Sequence, residues 1–329
     1  MSDAHAATAE SGWTTVVAFV RDYGALFGIG CVFLIIGALQ PSFLNPANIA
    51  NVLRQGTILV IISLGLTVVL NMRGVDLSVA QIADVSAVAA AALLLHGAPL
   101  WMAFVMPVLL GVGIGLINAL LSAYLGVPAI IATLGMMFVV RSGELIYTNG
   151  SQPQILFTLP QSVTGTFFFL GRGTVMGVPL LILLAIAVFA LVFTLSVLTP
   201  FGRRAKAVGA NVRAAYLAGI NIRAIFALGF VVSGFCAGIA GVAMAARTGI
   251  AMPGGAAPYL LEAFAAAYLG TLVSRTGSMT IVGALVGALF VAFLSNGLTM
   301  LGFAAPARYA FNGGFILFAM AIGALRRAQ

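Results

Sequence analysis

Charge is what this chain has least of. Only 7% of its 329 residues are Asp, Glu, Lys or Arg, where a water-soluble domain carries about a quarter. That excludes an ordinary soluble enzyme. Lys206 is the single lysine, and it follows no Gly-x-x-x-x-Gly-Lys-Ser/Thr pattern. The chain therefore has no phosphate loop with which to hydrolyse a nucleotide, and any motor must sit elsewhere. Two cysteines, Cys31 and Cys236, both in apolar stretches, imply buried small side chains and no disulfide framework. With His5 and His96 as the only histidines, no nucleophile–base pair or metal cluster can be assembled, and no catalytic or metal-binding residue is assigned. The stretch before Tyr23 carries Asp3, Glu10 and Asp22 but no basic segment leading into an apolar core. No cleavable signal peptide is expected, and the first span itself should direct insertion.

What is there is apolar. Hydrophobic residues make up 62% and mean hydropathy is +1.16. They come in continuous runs of about 20 residues rather than alternating, which reads as an all-α polytopic transmembrane helical bundle and not a β-barrel. About ten spans are expected: Tyr23–Leu39, Gly56–Asn71, Leu77–Leu95, Leu100–Leu121, Val127–Val140, Val178–Leu198, Ala224–Ala246, Tyr259–Val273, Thr280–Leu301 and Tyr309–Leu325. Residues 1–22 form a segment before the membrane domain of 23–325, Ser11–Val20 within it a short interfacial helix, and 326–329 a tail. Arg21, Arg73, the basic residues of Thr199–Arg223, Arg275, Arg326 and Arg327 fall on one side of this arrangement. Arg54, Arg141, Arg172, Arg247 and Arg308 fall on the other, so both termini and the 199–223 loop are expected in the cytoplasm. The net charge of +8 is thus explained by topology, and a nucleic-acid partner is not expected. The connection from Arg141 to Gly177, with Phe167, Phe168 and Phe169, is expected as an outer loop.

Small residues point to close helix packing: Gly111, Gly113 and Gly115, the pair Gly234 and Gly238, and the pair Gly283 and Gly287. A faint echo between Asn118-Ala-Leu…Leu-Gly and Asn296-Gly-Leu…Leu-Gly suggests a possible internal pseudo-repeat around a central site.

Two features interrupt the oil. The first is Asn71-Met-Arg73-Gly74-Val-Asp76-Leu-Ser78, where Arg73 and Asp76 are close enough to pair and Asp84 follows about 80° round a helix. It is either a short turn in which Asp76 or Ser78 caps the next helix, or a broken helix beside a transport path. The second is Thr199–Arg223, which holds Arg203, Arg204, Lys206, Arg213 and Arg223. Within it Asn211 is an N-cap, Val212–Ala218 a short helix and Gly219 its stop, with Val212, Ala215 and Tyr216 on one face for a partner's groove. Glu262 in a span is either an interface-proximal acid or a path residue, and Asn118 and Asn296 either bond between helices or face solute.

Together these stretches resemble a known family. Gly74-Val-Asp76-Leu-Ser78-Val is similar to the Gly-Ile-Asp-Leu-Ser-Val signature of the ribose-type sugar ABC transporter permeases of the branched-chain-amino-acid/sugar superfamily. Ala207-Val-Gly209-Ala-Asn211…Ala214-Ala215-Tyr-Leu-Ala-Gly219-Ile220 resembles their Ala-x-Gly-x-Asn…Ala-Ala…Ser-Gly-Ile loop. Glu262-Ala-Phe-Ala-Ala…Leu269-Gly270…Gly277-Ser278, then Asn296-Gly-Leu, and Val127-Pro-Ala-Ile-Ile-Ala-Thr-Leu-Gly135 agree as well. Glu262 stands where the family has Asp, Ala80 where it has Gly, and Leu272-Val273-Ser274-Arg275 replaces a Gly-rich segment, so the solute is left open.

The resemblance implies a permease subunit in a bacterial inner membrane that imports a small neutral solute, a sugar or polyol, by alternating access. It would bind no cofactor itself. Its partners would be a second, identical or different permease chain, a cytoplasmic ATPase carrying ATP and Mg, and a periplasmic or lipid-anchored solute-binding protein. Candidate pathway residues are Asn71, Asp76, Ser78, Asp84, Asn118, Glu262 and Asn296; candidate ATPase-coupling residues are Arg203, Gly209, Asn211, Ala214, Ala215, Gly219 and Ile220. The competing readings are an ion-coupled secondary transporter using Asp76, Asp84 or Glu262, and a passive channel.

Overall fold

A computed structural model describes residues 30–273 and 278–304, and 306, 307, 309–311, 313, 314 and 317 beyond them. The chain is a helical bundle. Its helices are α1 (Gly30–Leu39), α2 (Pro46–Leu70), α3 (Val79–Leu95), α4 (Leu100–Ala119), α5 (Ala129–Tyr147) and α6 (Gln161–Arg172). They continue as α7 (Leu180–Phe193), α8 (Pro200–Ala210), α9 (Val212–Leu217), α10 (Ile222–Thr248), α11 (Pro258–Val273) and α12 (Ile281–Met300). Six of the described helices are long and apolar enough to cross a membrane, α4 and α7 with the π-turns that prolong them to Tyr124 and Leu198. α1 and α3 are shorter and apolar. Nine of the expected spans coincide with a helix; the tenth, Tyr309–Leu325, falls mostly outside the described residues, as do the Ser11–Val20 helix, the 1–22 segment and the 326–329 tail.

α2 is the axis of the bundle. Its most apolar window is 83% buried within the chain against 17% for α5, so α2 is wrapped by protein while α5 presents its side chains outward. Asn45 starts α2 by accepting the Ala47 N–H at 2.9 Å, and Pro46 occupies the first turn, where its missing N–H costs nothing. This places the start ten residues before the expected Gly56, because Asn48, Asn51, Arg54 and Gln55 continue the helix as a polar first third. α5 likewise runs past Val140 to Tyr147, since Arg141 and Glu144 pair with each other across one turn.

α4 and α10 cross backbone to backbone. A Cβ on Gly111 would strike the Gly234 carbonyl, one on Gly234 the Gly111 carbonyl, and one on Gly115 the Phe230 carbonyl at 2.5 Å. Gly238 faces Val108 and Gly287 faces Ala266, whereas Gly113 meets nothing. In lipid, where burial of apolar surface drives nothing, such contact of small residues is what holds spans together.

The expected loop from Arg141 to Gly177 is more ordered than its composition suggests. Phe167–Phe169 belong to α6, whose face buries Thr164, Phe167 and Gly171. Strand β1 (Gln154–Ile155) pairs antiparallel with β4 (Ile250–Ala251), and β2 (Thr174–Val175) with β3 (Val178–Pro179). Positive φ at Met176 (52°) and Gly177 (79°) makes the β2–β3 connection a tight primed turn.

Candidate functional site

The basic stretch Thr199–Arg223 contains two helices, not one. α8 was not expected: its Gly202, Ala205 and Val208 recur every third residue and are buried, while Arg203, Arg204 and Lys206 are exposed. Pro200 in its first turn is the signal that could have marked it. Asn211 then caps α9 by accepting the Ala214 N–H at 3.0 Å. α9 ends in a Schellman motif: the Gly219 N–H donates to the Tyr216 carbonyl and the Ile220 N–H to the Ala215 carbonyl, with Gly219 at φ 76°. Asn211, Ala215, Gly219 and Ile220 thus shape one element with Ala214 exposed on it, and Arg203 lies exposed on α8. The expected face is revised, because Ala215 turns into the bundle. The outward apolar surface is Val212, Tyr216 and Leu217, the last two 70% and 78% exposed.

This helix pair packs against α10 and also meets the end of α2. A Cβ on Gly209 would run into the Asn71 carbonyl oxygen at the end of α2. Two residues on, Arg73 donates to the Ala210 carbonyl at 3.1 Å. Arg73 therefore reaches α8 and not Asp76, and the expected Arg73–Asp76 pair is not formed.

The 71–78 break is held by hydrogen bonds from three other helices. Asp76 and Ser78 are fully buried; Asp76 accepts from the Ser78 N–H at 3.0 Å, the Ser78 hydroxyl at 2.6 Å and, across the bundle, the Ser233 hydroxyl of α10 at 2.7 Å. Asn118 of α4 donates to the Ser78 hydroxyl at 2.8 Å. From α5, the Thr133 hydroxyl accepts the Leu77 N–H at 3.1 Å. Non-helical backbone inside a bundle must be satisfied by protein, and here the Gly74, Leu77 and Ser78 N–H groups are. Asp76 precedes α3, which begins at Val79, so Asp76 and Asp84 do not share a helix and the 80° relation does not apply.

A cavity of about 470 Å³ opens at the other end of α2. From Gln55 to Asn71 is a rise of roughly 24 Å, so cavity and helix pair stand at opposite ends. Its walls are Asn51 and Gln55 of α2, Tyr259 and Glu262 of α11, and Ser295, Asn296 and Thr299 of α12, with Tyr309 beside them. Asn296 is oriented by Asn48, whose side-chain amide donates to it at 2.9 Å. Amides, hydroxyls, tyrosine rings and the Glu262 carboxylate, interleaved with Val52, Leu59 and Ala292, around a volume in the roughly 300–1,000 Å³ range suit a small polyhydroxylated molecule, which needs both donors and acceptors.

The seven candidate pathway residues therefore separate. Glu262 and Asn296 meet in the cavity; Asp76, Ser78 and Asn118 meet in the buried network; Asn71 lies against α8; Asp84 stands apart on α3 near Arg141 of α5. Asn51, Gln55, Tyr259, Ser295, Thr299 and Ser233 were missed. The polar series Asn48, Asn51, Gln55, on one face of a helix at three- and four-residue spacing, was the readable signal.

With this geometry in view, comparison with known proteins is decisive. The model of the branched-chain amino acid transport system / permease component family matches residues 48–320. The chain belongs to that family. It is 33% identical over 304 residues to the ribose import permease protein RbsC of Bacillus subtilis (strain 168), covering 92% of each chain. It is 30% identical to the D-allose transport system permease protein AlsC of Escherichia coli (strain K12), covering 93% of each. To the L-arabinose ABC transporter permease protein AraH of Azospirillum brasilense it is 33% identical, over 92% of this chain and 88% of that one. No solved structure matches. As a permease component, the chain is a multi-pass membrane protein and not itself an enzyme.

Proposed function

We propose that this permease imports a small neutral sugar or polyol as the membrane subunit of an ATP-driven importer. The observation that carries the reading is that full-length similarity to ribose, allose and arabinose permeases coincides with a cavity walled by amides, hydroxyls and tyrosines. Solute enters at the cavity, and the α8–α9 pair takes the thrust of a separate cytoplasmic ATPase that carries ATP and Mg. Exposed Val212, Tyr216 and Leu217 on α9, with Arg203, Arg204 and Lys206 exposed on the adjoining α8, offer that ATPase apolar and basic contacts. Movement of α8 reaches Asn71 and Arg73 directly, hence α2, the helix that runs from there to the cavity wall.

The wider arrangement follows. A second permease chain completes the path, a periplasmic or lipid-anchored binding protein delivers solute to the cavity end, and the basic-rich end faces the cytoplasm of a bacterial inner membrane. The chain holds no cofactor of its own. In proteoliposomes carrying this chain with the ATPase and binding protein encoded beside it, labelled ribose, allose or arabinose should accumulate only with ATP inside the ATPase compartment. Accumulation driven by a proton or sodium gradient without the ATPase would replace this reading with the ion-coupled one.

A further inference from the structure

Asp84 plays no part in the cavity or in the buried network, yet it is a carboxylate 1% exposed inside a bundle. Charges in such places are costly and need a task. Its surroundings are specific. Asp84 Oδ1 accepts the Ala256 N–H at 3.4 Å, and Oδ2 lies 3.8 Å from Arg141 Nη1, beyond hydrogen-bond reach. Arg141 Nη1 donates instead to Glu144 Oε2 at 2.6 Å, an oxygen that also accepts from Gln81 at 2.8 Å. Glu144 is likewise 1% exposed. Asp84 Oδ2 and Glu144 Oε1 are both buried without a hydrogen-bond partner. One guanidinium is thus shared unequally by two carboxylates.

The third party is backbone. Gly254, at φ 82°, passes so close that a Cβ there would stand 3.2 Å from both terminal nitrogens of Arg141. Gly254 and Ala256 belong to the segment between β4 and α11. One end of it is tied by the register Gln154↔Ala251 and Ile155↔Ile250. Its other end supplies Gly255 and Pro258 to the cavity and leads into Tyr259 and Glu262.

We propose that Asp84 and Arg141 are positioning residues that set the cavity wall from behind, with Glu144 as the competitor that limits how tightly Arg141 is drawn to Asp84. The role in solute recognition rests on the cavity being the solute path; the latch on the 252–257 segment does not.

Amide hydrogen exchange on the full chain in lipid nanodiscs tests it. Asp84→Asn removes the ionic attraction to Arg141 and the charge on the acceptor of the Ala256 N–H, and should speed exchange across 252–257 by about tenfold. Glu144→Gln frees Arg141 for Asp84 and should slow the same amides, while exchange in α9 stays unchanged in both. A merely structural cluster would loosen under either change, so faster exchange in both variants, or no change in either, overturns the proposal. In the assembled importer, Asp84→Asn should raise the solute concentration for half-maximal uptake by about tenfold with the maximal rate preserved. An unaltered half-saturation alongside altered exchange overturns the positioning role. Wild-type chain that moves no sugar under ATP counts against the importer reading and leaves the exchange result standing.

Discussion

Replacing Gly209 with Val should separate ATP hydrolysis from solute movement. The Cβ of any residue at this position runs into the Asn71 carbonyl oxygen. That oxygen is held in place, because the peptide that carries it has its N–H, that of Met72, bonded to the Val69 carbonyl at 3.1 Å. α8 must therefore lift from α2, and the Arg73 bond to the adjacent Ala210 carbonyl is pulled with it. Overpacking of this kind costs about 1–3 kcal/mol, which shifts the seated fraction of the helix pair by roughly 5- to 150-fold. Val exceeds Gly in helix propensity by only a few tenths of a kcal/mol, so the gain in α8 does not offset the loss. The assay is solute accumulated per ATP hydrolysed in proteoliposomes holding the complete importer, with Gly113→Ala as control, since a Cβ there meets nothing. Gly209→Val should lower that ratio several-fold, while Gly113→Ala leaves it at the wild-type value. An unchanged ratio in Gly209→Val would refute the idea that thrust passes from α8 to α2 at this contact.

Three further outcomes are expected. Gly219→Val forces a β-branched residue to φ 76°, at about 1–2 kcal/mol, and unwinds the Schellman end of α9; pull-down of the ATPase should weaken while membrane insertion, followed by detergent-extracted yield, holds. Asp76→Ala leaves the Ser78 and Ser233 hydroxyls without their acceptor, at about 1–3 kcal/mol, so uptake should fall more than ATPase co-purification; uptake at the wild-type rate would mean the network is dispensable. Asn296→Leu removes the partner of Asn48 and a polar wall of the cavity, and should raise half-saturation for uptake about tenfold without altering ATPase binding.

Legibility in the sequence followed the range of the forces involved. The spans could be read because a bilayer demands continuous apolar runs, and the α9 helix because its cap and stop are local: Asn211 bonds three residues on, and Gly219 needs only its own φ. Ends that depend on pairing were misplaced. α5 overran Val140 because Arg141 and Glu144 satisfy each other, and α2 began early because its polar first third faces a cavity formed with α11 and α12. The pathway residues were read as one set because each is polar in oil, but polarity does not say what it faces. Asp76 finds Ser233, 157 positions away, and Asn48 finds Asn296, 248 positions away, so only the fold could sort cavity from network.

That sorting changes what the Gly-Val-Asp-Leu-Ser break is for. Asp76 and Ser78 in the break are fully enclosed. The break touches Gly209 and Ala210 of α8 on one side and Ser233 of α10, Asn118 of α4 and Thr133 of α5 on the other. A straight helix could not serve here. It would consume the Leu77 N–H and Val75 C=O internally, whereas here both bond to Thr133 of α5, and the Asp76 and Ser78 side chains make the bonds to α10 and α4. Under the proposed function, a push on the helix pair at Gly209 and Ala210 would reach α2 and, through the Asp76–Ser78 network, α10, α4 and α5 as well. Under that reading Asp76 carries load, and contact with solute belongs to the cavity at the far end of α2.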